Sequence, residues 1–346
     1  QIETSPSTKL FGWGGEQMEL ARARAAAFIG AELDEVAFTR NTTEGMNAVA
    51  GGIDLQPGDQ VLTTNHEHGG GMVCWQHARR HRGVESVYLP MPTPVRDRSQ
   101  ILDLVREHIT PRTRVCSFSH VDTITGVQMP IAEIADVTRP RDILLVCDGA
   151  QAPGMIPVDV AALGADTYAL SGHKWMLAPK GSGLLYVRKE AQERVQPALL
   201  HSGYRAYTAS SGTRDVASVL GLAMTMDFHD AIGRERVMDR GRQLRGYLAG
   251  QLSEIPGFHP LTPDEPDLSG LLQTWALEAG NAGEIGRKLR DDYDIVVKTA
   301  QSTYAFSEEP GLSSESYNAL RFSTHLFNSE ADIDRTVSAL TTLLPS

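Results

Sequence analysis

A chain of 346 residues is long enough for a large core and two domains, since single cores stop growing near roughly 250–300 residues. Its 41% hydrophobic and 22% charged content is that of a water-soluble α/β enzyme, and no run approaches the ~18 apolar residues of a membrane span. A net charge of −11 and an isoelectric point near 5.5 argue against a phosphate-backbone partner, so neither nucleic acid nor membrane is expected.

The three cysteines, Cys74, Cys116 and Cys147, are odd in number, sit in apolar surroundings and form no CxxC pair. They give neither a disulfide framework nor a zinc site. A reducing, cytoplasmic compartment is the expectation. The sequence begins at Gln1 with neither a methionine nor a signal-like segment, which leaves open the removal of an N-terminal targeting segment.

Residues 1–15 are polar and Gly/Pro/Ser-bearing and read as an N-terminal arm; Glu19–Phe28 reads as an Ala-rich helix. A short strand, 35–39, leads into a helix over 40–49. Asn41 as N-cap, with Glu44 three residues later, has the form of a capping box. The free N–H groups of that helix start can hold a phosphate, and a plain cap is the simpler reading. A strand follows at 60–64, then Asn65-His-Glu-His-Gly-Gly-Gly. His66 and His68 invite a metal, but no third ligand follows at suitable spacing, so none is expected. Gly69–Gly71 read as a sharp turn or a close passage of the backbone past a ligand.

Strands at 85–89, 114–119 and 143–147 alternate with helices near 99–108 and 130–137, which implies βαβ units and a mostly parallel sheet. Ligands of such sheets sit at the carboxyl ends of the strands. Ser119-His-Val-Asp-Thr123, Asp148, His173 and Lys174 all fall there. Lys174 follows a strand (167–170) and the Ser171-Gly172 turn, and precedes a Gly/Pro turn and a second strand at 184–187. It is one of only six lysines against many arginines. Burial lowers an amine's pKa, as a Schiff-base lysine requires; a surface lysine at a strand end is the alternative. Likewise Asp148 reads equally as a strand-end cap, and Arg321 as a structural salt-bridge partner.

Beyond Val187 the chain turns polar, and Ala209–Asp215 opens a long helix through Phe228. A smaller α+β domain follows: a helix carrying Val237, Leu244, Leu248 and Leu252, a strand at 271–277, a helix at 283–291, strands at 295–299 and 319–323, and a closing helix with Ile333, Val337, Leu340 and Leu344 on one face. The domains expected are an arm (1–15), a large domain (16–228) and a small C-terminal domain (229–346).

The run Asp148-Gly-Ala-Gln151 followed by Ser171-Gly-His-Lys174 resembles the fold-type I pyridoxal phosphate (PLP) enzymes, in the class V aminotransferase branch that includes isopenicillin N epimerase-like proteins and cysteine desulfurases. The resemblance runs from about Ala31 to the C-terminus. It implies an α/β PLP-dependent transferase fold, with a mostly parallel seven-stranded sheet in the large domain. It also implies a homodimer acting on a small amino-acid substrate.

On this resemblance Lys174 makes the imine with PLP and moves the α-proton, Asp148 keeps the pyridine nitrogen protonated, and His68 stacks on the ring. Gln151 bonds the ring's phenolic oxygen, and Thr123 stands where many desulfurases carry Asn. Thr42, Thr43, Ser171, His173 and the partner subunit's Thr213 share the phosphate, while Arg321 grips the substrate α-carboxylate. The stretch 197–212 is short beside the family pattern.

No cysteine follows Cys147, so the nucleophilic thiol of a desulfurase, expected between Val297 and Arg321, is missing. The activity expected is epimerisation or transamination at the α-carbon of an amino acid. The alternatives are a C–S lyase without a catalytic cysteine and a catalytically idle PLP-binding protein.

Overall fold

The computed structural model describes residues 4–300 and 317–344. The polar N-terminal stretch is helical: a wide, π-type turn over Pro6–Gly14 runs directly into α1 (Gly15–Ile29), which closes at Gly30 in the left-handed conformation. The chain then alternates through β1 (Val36–Thr39), α2 (Thr42–Gly52), β2 (Gln60–Thr64), α3 (Gly69–Arg82), β3 (Glu85–Leu89), α4 (Arg98–His108), β4 (Thr113–Ser119), α5 (Ile131–Thr138), β5 (Leu144–Asp148), α6 (Val160–Leu163), β6 (Thr167–Ser171) and β7 (Gly183–Val187). These seven strands form one sheet in the order β1-β7-β6-β5-β4-β2-β3. The pairs from β3 through β6 are parallel, and β7 runs antiparallel to both β6 and β1.

Alternation along the central strands feeds two separate apolar layers. Leu144 and Val146 of β5 pack with Met46 and Val49 of α2 and Met72 and Trp75 of α3. Leu145 and Cys147 point the other way, toward α1, α4, α5 and α7 (Val216–Ile232). A sheet covered on both faces needs strands that are largely apolar, which is why β5 and β7 read as nearly continuous hydrophobic runs. The odd-even division also fixes where Asp148 points, since it continues the Leu144, Val146 series toward α2 and α3.

After α7 come α8 (Arg234–Leu252), β8 (Phe258–Pro260), β9 (Leu272–Leu277), α9 (Ala282–Tyr293), β10 (Lys298–Ala300), β11 (Ala319–Ser323) and α10 (Glu330–Leu343). The second sheet, β10-β11-β9-β8, is antiparallel and has its own core of Leu244, Leu248, Trp275, Leu289, Leu320 and Leu340.

Three sequence expectations change. Gly69–Gly71 do not make a turn; they are the first residues of α3, whose start lies so close to β5 that a Cβ on Gly71 would meet Asp148 Oδ2 at 2.6 Å. The strand expected at 295–299 is Lys298–Ala300. The Asn41 cap is made, accepting from Glu44 N at 2.9 Å, but the Glu44 carboxylate reaches back to Arg40 N rather than to Asn41 N.

Candidate active site

The carboxyl ends of β2, β4, β5 and β6 meet over the start of α3, and the small sheet closes over them. A cleft of about 350 Å³ opens there, lined by His68, Thr123, Gln151, Lys174 and Arg321 from the expected set. Trp175, Leu177, Lys298, Ser323, His325 and Phe327 line it as well.

Lys174 sits in the turn after β6, where its carbonyl accepts from Leu177 N at 3.0 Å; Leu177 itself takes a left-handed φ of 63°. Burial lowers the Lys174 amine below its ordinary pKa, the Asp148 charge opposes this, and Arg321 and Lys298 add to the lowering. Asp148 is buried beneath the cleft, with Oδ1 accepting from Ala150 N at 2.9 Å. Burial raises its pKa and the Lys174 charge pulls it back. Gly149, next in the chain, is required by packing: a Cβ there would lie 2.0 Å from the Tyr168 ring.

His68 is the N-cap of α3. Its Nδ1 accepts from Gly70 N at 2.9 Å, which assigns a single ring proton to Nε2. Burial, then the charges of Lys174, Lys298 and Arg321, push its pKa down to about 4, so the ring is neutral. His66 turns elsewhere, to the Tyr317 hydroxyl at 3.2 Å, so the His-x-His pair does not converge. Among the described residues no group of three or more His, Cys, Asp or Glu side chains is placed to hold a metal.

Four side chains, Arg321, Thr123, Gln151 and Trp175, form one hydrogen-bond network across the cleft. Arg321 Nη1 donates to the Thr123 carbonyl at 2.7 Å and hydroxyl at 2.8 Å, Gln151 Nε2 donates to the same hydroxyl at 3.1 Å, and Trp175 Nε1 donates to Gln151 Oε1 at 2.8 Å. Trp175, His325 and Phe327 stack in a row, with ring centroids 5.3 and 4.9 Å apart.

The remaining expected residues are not part of its lining. Ser171 Oγ accepts from Thr42 N at 2.9 Å and shares a 2.8 Å hydrogen bond with Thr42 Oγ1, joining the end of β6 to the start of α2. Thr43 lines an adjoining groove with Arg40, Asn41, Asn47 and Gly181. His173 keeps a buried Nδ1 without a hydrogen-bond partner among the described residues. Thr213 is exposed on the loop ahead of α7, away from this cleft. Most of the segment between Val297 and Arg321, where a desulfurase thiol is expected, lies outside the described residues.

Sequence reasoning missed Lys298, His325 and Phe327, which reach the cleft only by packing of the small sheet. It also left Glu67 without a role of its own. That carboxylate is buried, accepting from Thr64 Oγ1 at 2.8 Å, Ser119 N at 3.2 Å and Ser119 Oγ at 2.5 Å. Burial, with the Asp148 charge nearby, lifts its pKa to about 8.

These features fit a ligand shaped like PLP. The starts of α2 and α3 each carry a positive dipole end, and a Cβ on Gly70 would meet Thr43 Oγ1 at 2.5 Å, so the two starts are pressed together. His173 Nδ1, buried and without a hydrogen-bond partner among the described residues, adds polar capacity. The buried Asp148 carboxylate, against which Gly71 packs, suits a protonated ring nitrogen.

The comparisons with known proteins agree in direction. The family model described as aminotransferase class-V matches residues 9–336. Isopenicillin N epimerase of Amycolatopsis lactamdurans is 32% identical, over 92% of this chain and 83% of that protein. A cysteine desulfurase of Cronobacter sakazakii is also 32% identical, over 94% of this chain and 82% of that protein. The apo cysteine desulfurase of Thermococcus onnurineus NA1 superposes with a TM-score of 0.82 at 24% identity, covering 96% of this chain and 84% of that one. With the family model spanning nearly its whole length, this chain belongs to the class V aminotransferase family.

Proposed function

We propose that this chain is a PLP-dependent enzyme that moves a proton at the α-carbon of an amino acid, as an epimerase or a transaminase. The observation that carries the reading is the pairing of a buried lysine, Lys174, whose pKa burial lowers, with a buried acid, Asp148, at and just beyond the ends of adjacent strands. PLP, when bound, supplies an aldehyde carbon and a ring that draws electrons from the substrate's α-carbon.

Lys174 Nζ would hold the cofactor and would serve as the base toward the substrate's α-proton; burial lowers its pKa, which leaves more of the amine neutral at working pH. Asp148 keeps a proton on the ring nitrogen, because a buried carboxylate favours the charged form of a base set against it. His68 offers a neutral ring face, held by its bond from Gly70 N. Gln151 is oriented by Trp175 and Thr123, so its amide faces the cleft in one fixed direction. Arg321, held by Thr123, binds the α-carboxylate. Thr42, Thr43, Ser171 and His173 take the phosphate. The protein works as a homodimer in which Thr213 reaches the partner subunit's site; the exposure of Thr213 and of Met224 and Phe228 on α7 supports this.

Proton chemistry is favoured over thiol-dependent C–S cleavage because all three cysteines are buried, with burial pushing Cys74 and Cys116 to about 12 and Cys147 well above its ordinary value. The testing experiment is incubation of the loaded protein with a panel of L-amino acids, products being identified by mass and chirality. D-isomers or oxo acids support the reading. Sulfur release from cysteine without either moves the protein to the C–S lyases, and no product from any amino acid leaves a binding protein.

A further inference from the structure

The backbone just after Lys174 is held from three sides by groups that the proposed chemistry does not use. His325 Nε2 donates to the Trp175 carbonyl at 2.8 Å, and His229 Nε2 donates to the Met176 carbonyl at 3.3 Å. Gly154 closes the third side: a Cβ there would lie 2.4 Å from the Trp175 carbonyl carbon and 2.5 Å from Met176 N. Consecutive carbonyls of one loop thus receive donors from two distant elements, α7 and the turn after β11.

His325 is fixed in one orientation. Its Nδ1 accepts from Leu326 N at 2.8 Å, so the proton of the neutral ring stands on Nε2, facing the Trp175 carbonyl. Its backbone N–H donates to Asn328 Oδ1, and the Asn328 N–H returns to the His325 carbonyl, both at 2.9 Å. The ring is buried in the row between Trp175 and Phe327. Burial lowers the pKa of both His325 and His229, which keeps each ring neutral.

The loop depends on such support. Leu177 takes a left-handed φ of 63°, which a leucine keeps only where its surroundings hold it. Trp175 and Met176 are buried, so a carbonyl that lost its donor there would be left unpaired away from water. Lys174 is bonded directly to Trp175, and the donor therefore acts on the backbone from which the amine reaches the cleft. His325 also follows Arg321 by four residues, so one segment carries both the proposed carboxylate grip and the donor to the lysine loop.

We propose that His325 is a positioning residue for Lys174: its hydrogen bond to the Trp175 carbonyl holds the loop where the lysine amine meets the cofactor's aldehyde. This deepens the function proposed above and rests on its reading of Lys174 as the lysine that carries PLP.

The test compares two ligands on the full chain freed of cofactor. PLP has an aldehyde that condenses with an amine, releasing water; pyridoxine 5′-phosphate has an alcohol in its place and binds by shape and charge alone. His325→Phe keeps a ring in the stack and removes the donor. It should bind PLP about tenfold more weakly, and pyridoxine 5′-phosphate within about twofold of the wild type. His325→Gln loses the ring but places an N–H near the position of Nε2, and should return PLP affinity to within about threefold. Should His325→Phe not fold, His325→Asn, whose amide is one carbon shorter than that of glutamine, takes its place with the same expected loss. Unchanged PLP affinity in the donor-less variant, an equal loss for both ligands, or a glutamine variant as weak as the phenylalanine one overturns the proposal. Equal affinity of the wild type for the two ligands sinks the Lys174 reading and this proposal with it. Failure of the α-carbon reading shows separately, as the expected pattern of affinities in a protein that makes no product from any amino acid.

Discussion

Arg321 donates through one nitrogen, Nη1, to both the carbonyl and the hydroxyl of Thr123, tying the small sheet to the strand ends of the large one. The same hydroxyl accepts from Gln151, so one oxygen orients two groups that point into the cleft. Thr123→Val keeps the volume and removes that oxygen. A buried donor that loses its acceptor costs about 1–3 kcal/mol, so KM for the amino acid should rise about tenfold, with kcat changing less than about threefold. Steady-state kinetics check this, and an unchanged KM would break the link between Thr123 and substrate binding.

Asp148→Asn removes a charge while keeping the shape that Gly71 packs against. The variant should still bind PLP, because the helix starts and Lys174 remain. Turnover should fall about a thousandfold or more, roughly 4 kcal/mol of barrier, since the ring nitrogen loses its counter-charge inside a buried site. Single-turnover rates near the wild type would remove Asp148 from the chemistry.

Replacing Cys74, Cys116 and Cys147 together with alanine tests the thiol question. All three are buried and held protonated, so turnover should stay within about tenfold, ~1.4 kcal/mol. Loss of activity with normal cofactor loading, or a persulfide trapped on Cys74 of the native protein, would favour C–S cleavage.

Glu67 gives a pH signature in the cofactor-free protein. Its folded pKa of about 8 lies above the ordinary 4.5, so the folded chain binds the proton more tightly. Its contribution to stability is full below pH 4.5 and is lost as pH rises toward 8. Between pH 5 and 8 the wild type should therefore lose on the order of 3 kcal/mol more stability than Glu67→Gln, whose side chain does not titrate. Thermal melts across that range decide; parallel curves for the two proteins would contradict the assignment.

Much of this was legible in the sequence wherever a residue's environment is set by its own strand. Asp148 and Lys174 end apolar runs, and strand ends of a parallel sheet converge whatever the rest of the chain does. The start of α3 was legible only in part: three successive glycines read as a sharp turn or a close passage of the backbone past a ligand, and they are instead what lets a helix begin against Asp148 and Thr43. Lys298, His325 and Phe327 carry no local signal, because the small sheet brings them to the cleft from far along the chain. The Trp beside Lys174 was visible, but its bond to Gln151 depends on two separate turns meeting.

The central claim is that Lys174 carries the cofactor. Reducing the PLP-loaded protein with borohydride and mapping the modified peptide by mass should place the pyridoxyl group on Lys174 alone, and Lys174→Ala should lose the visible absorbance while keeping its fold. A label on Lys298, Lys180 or any other lysine, or a reducible adduct that persists in Lys174→Ala, would contradict the account.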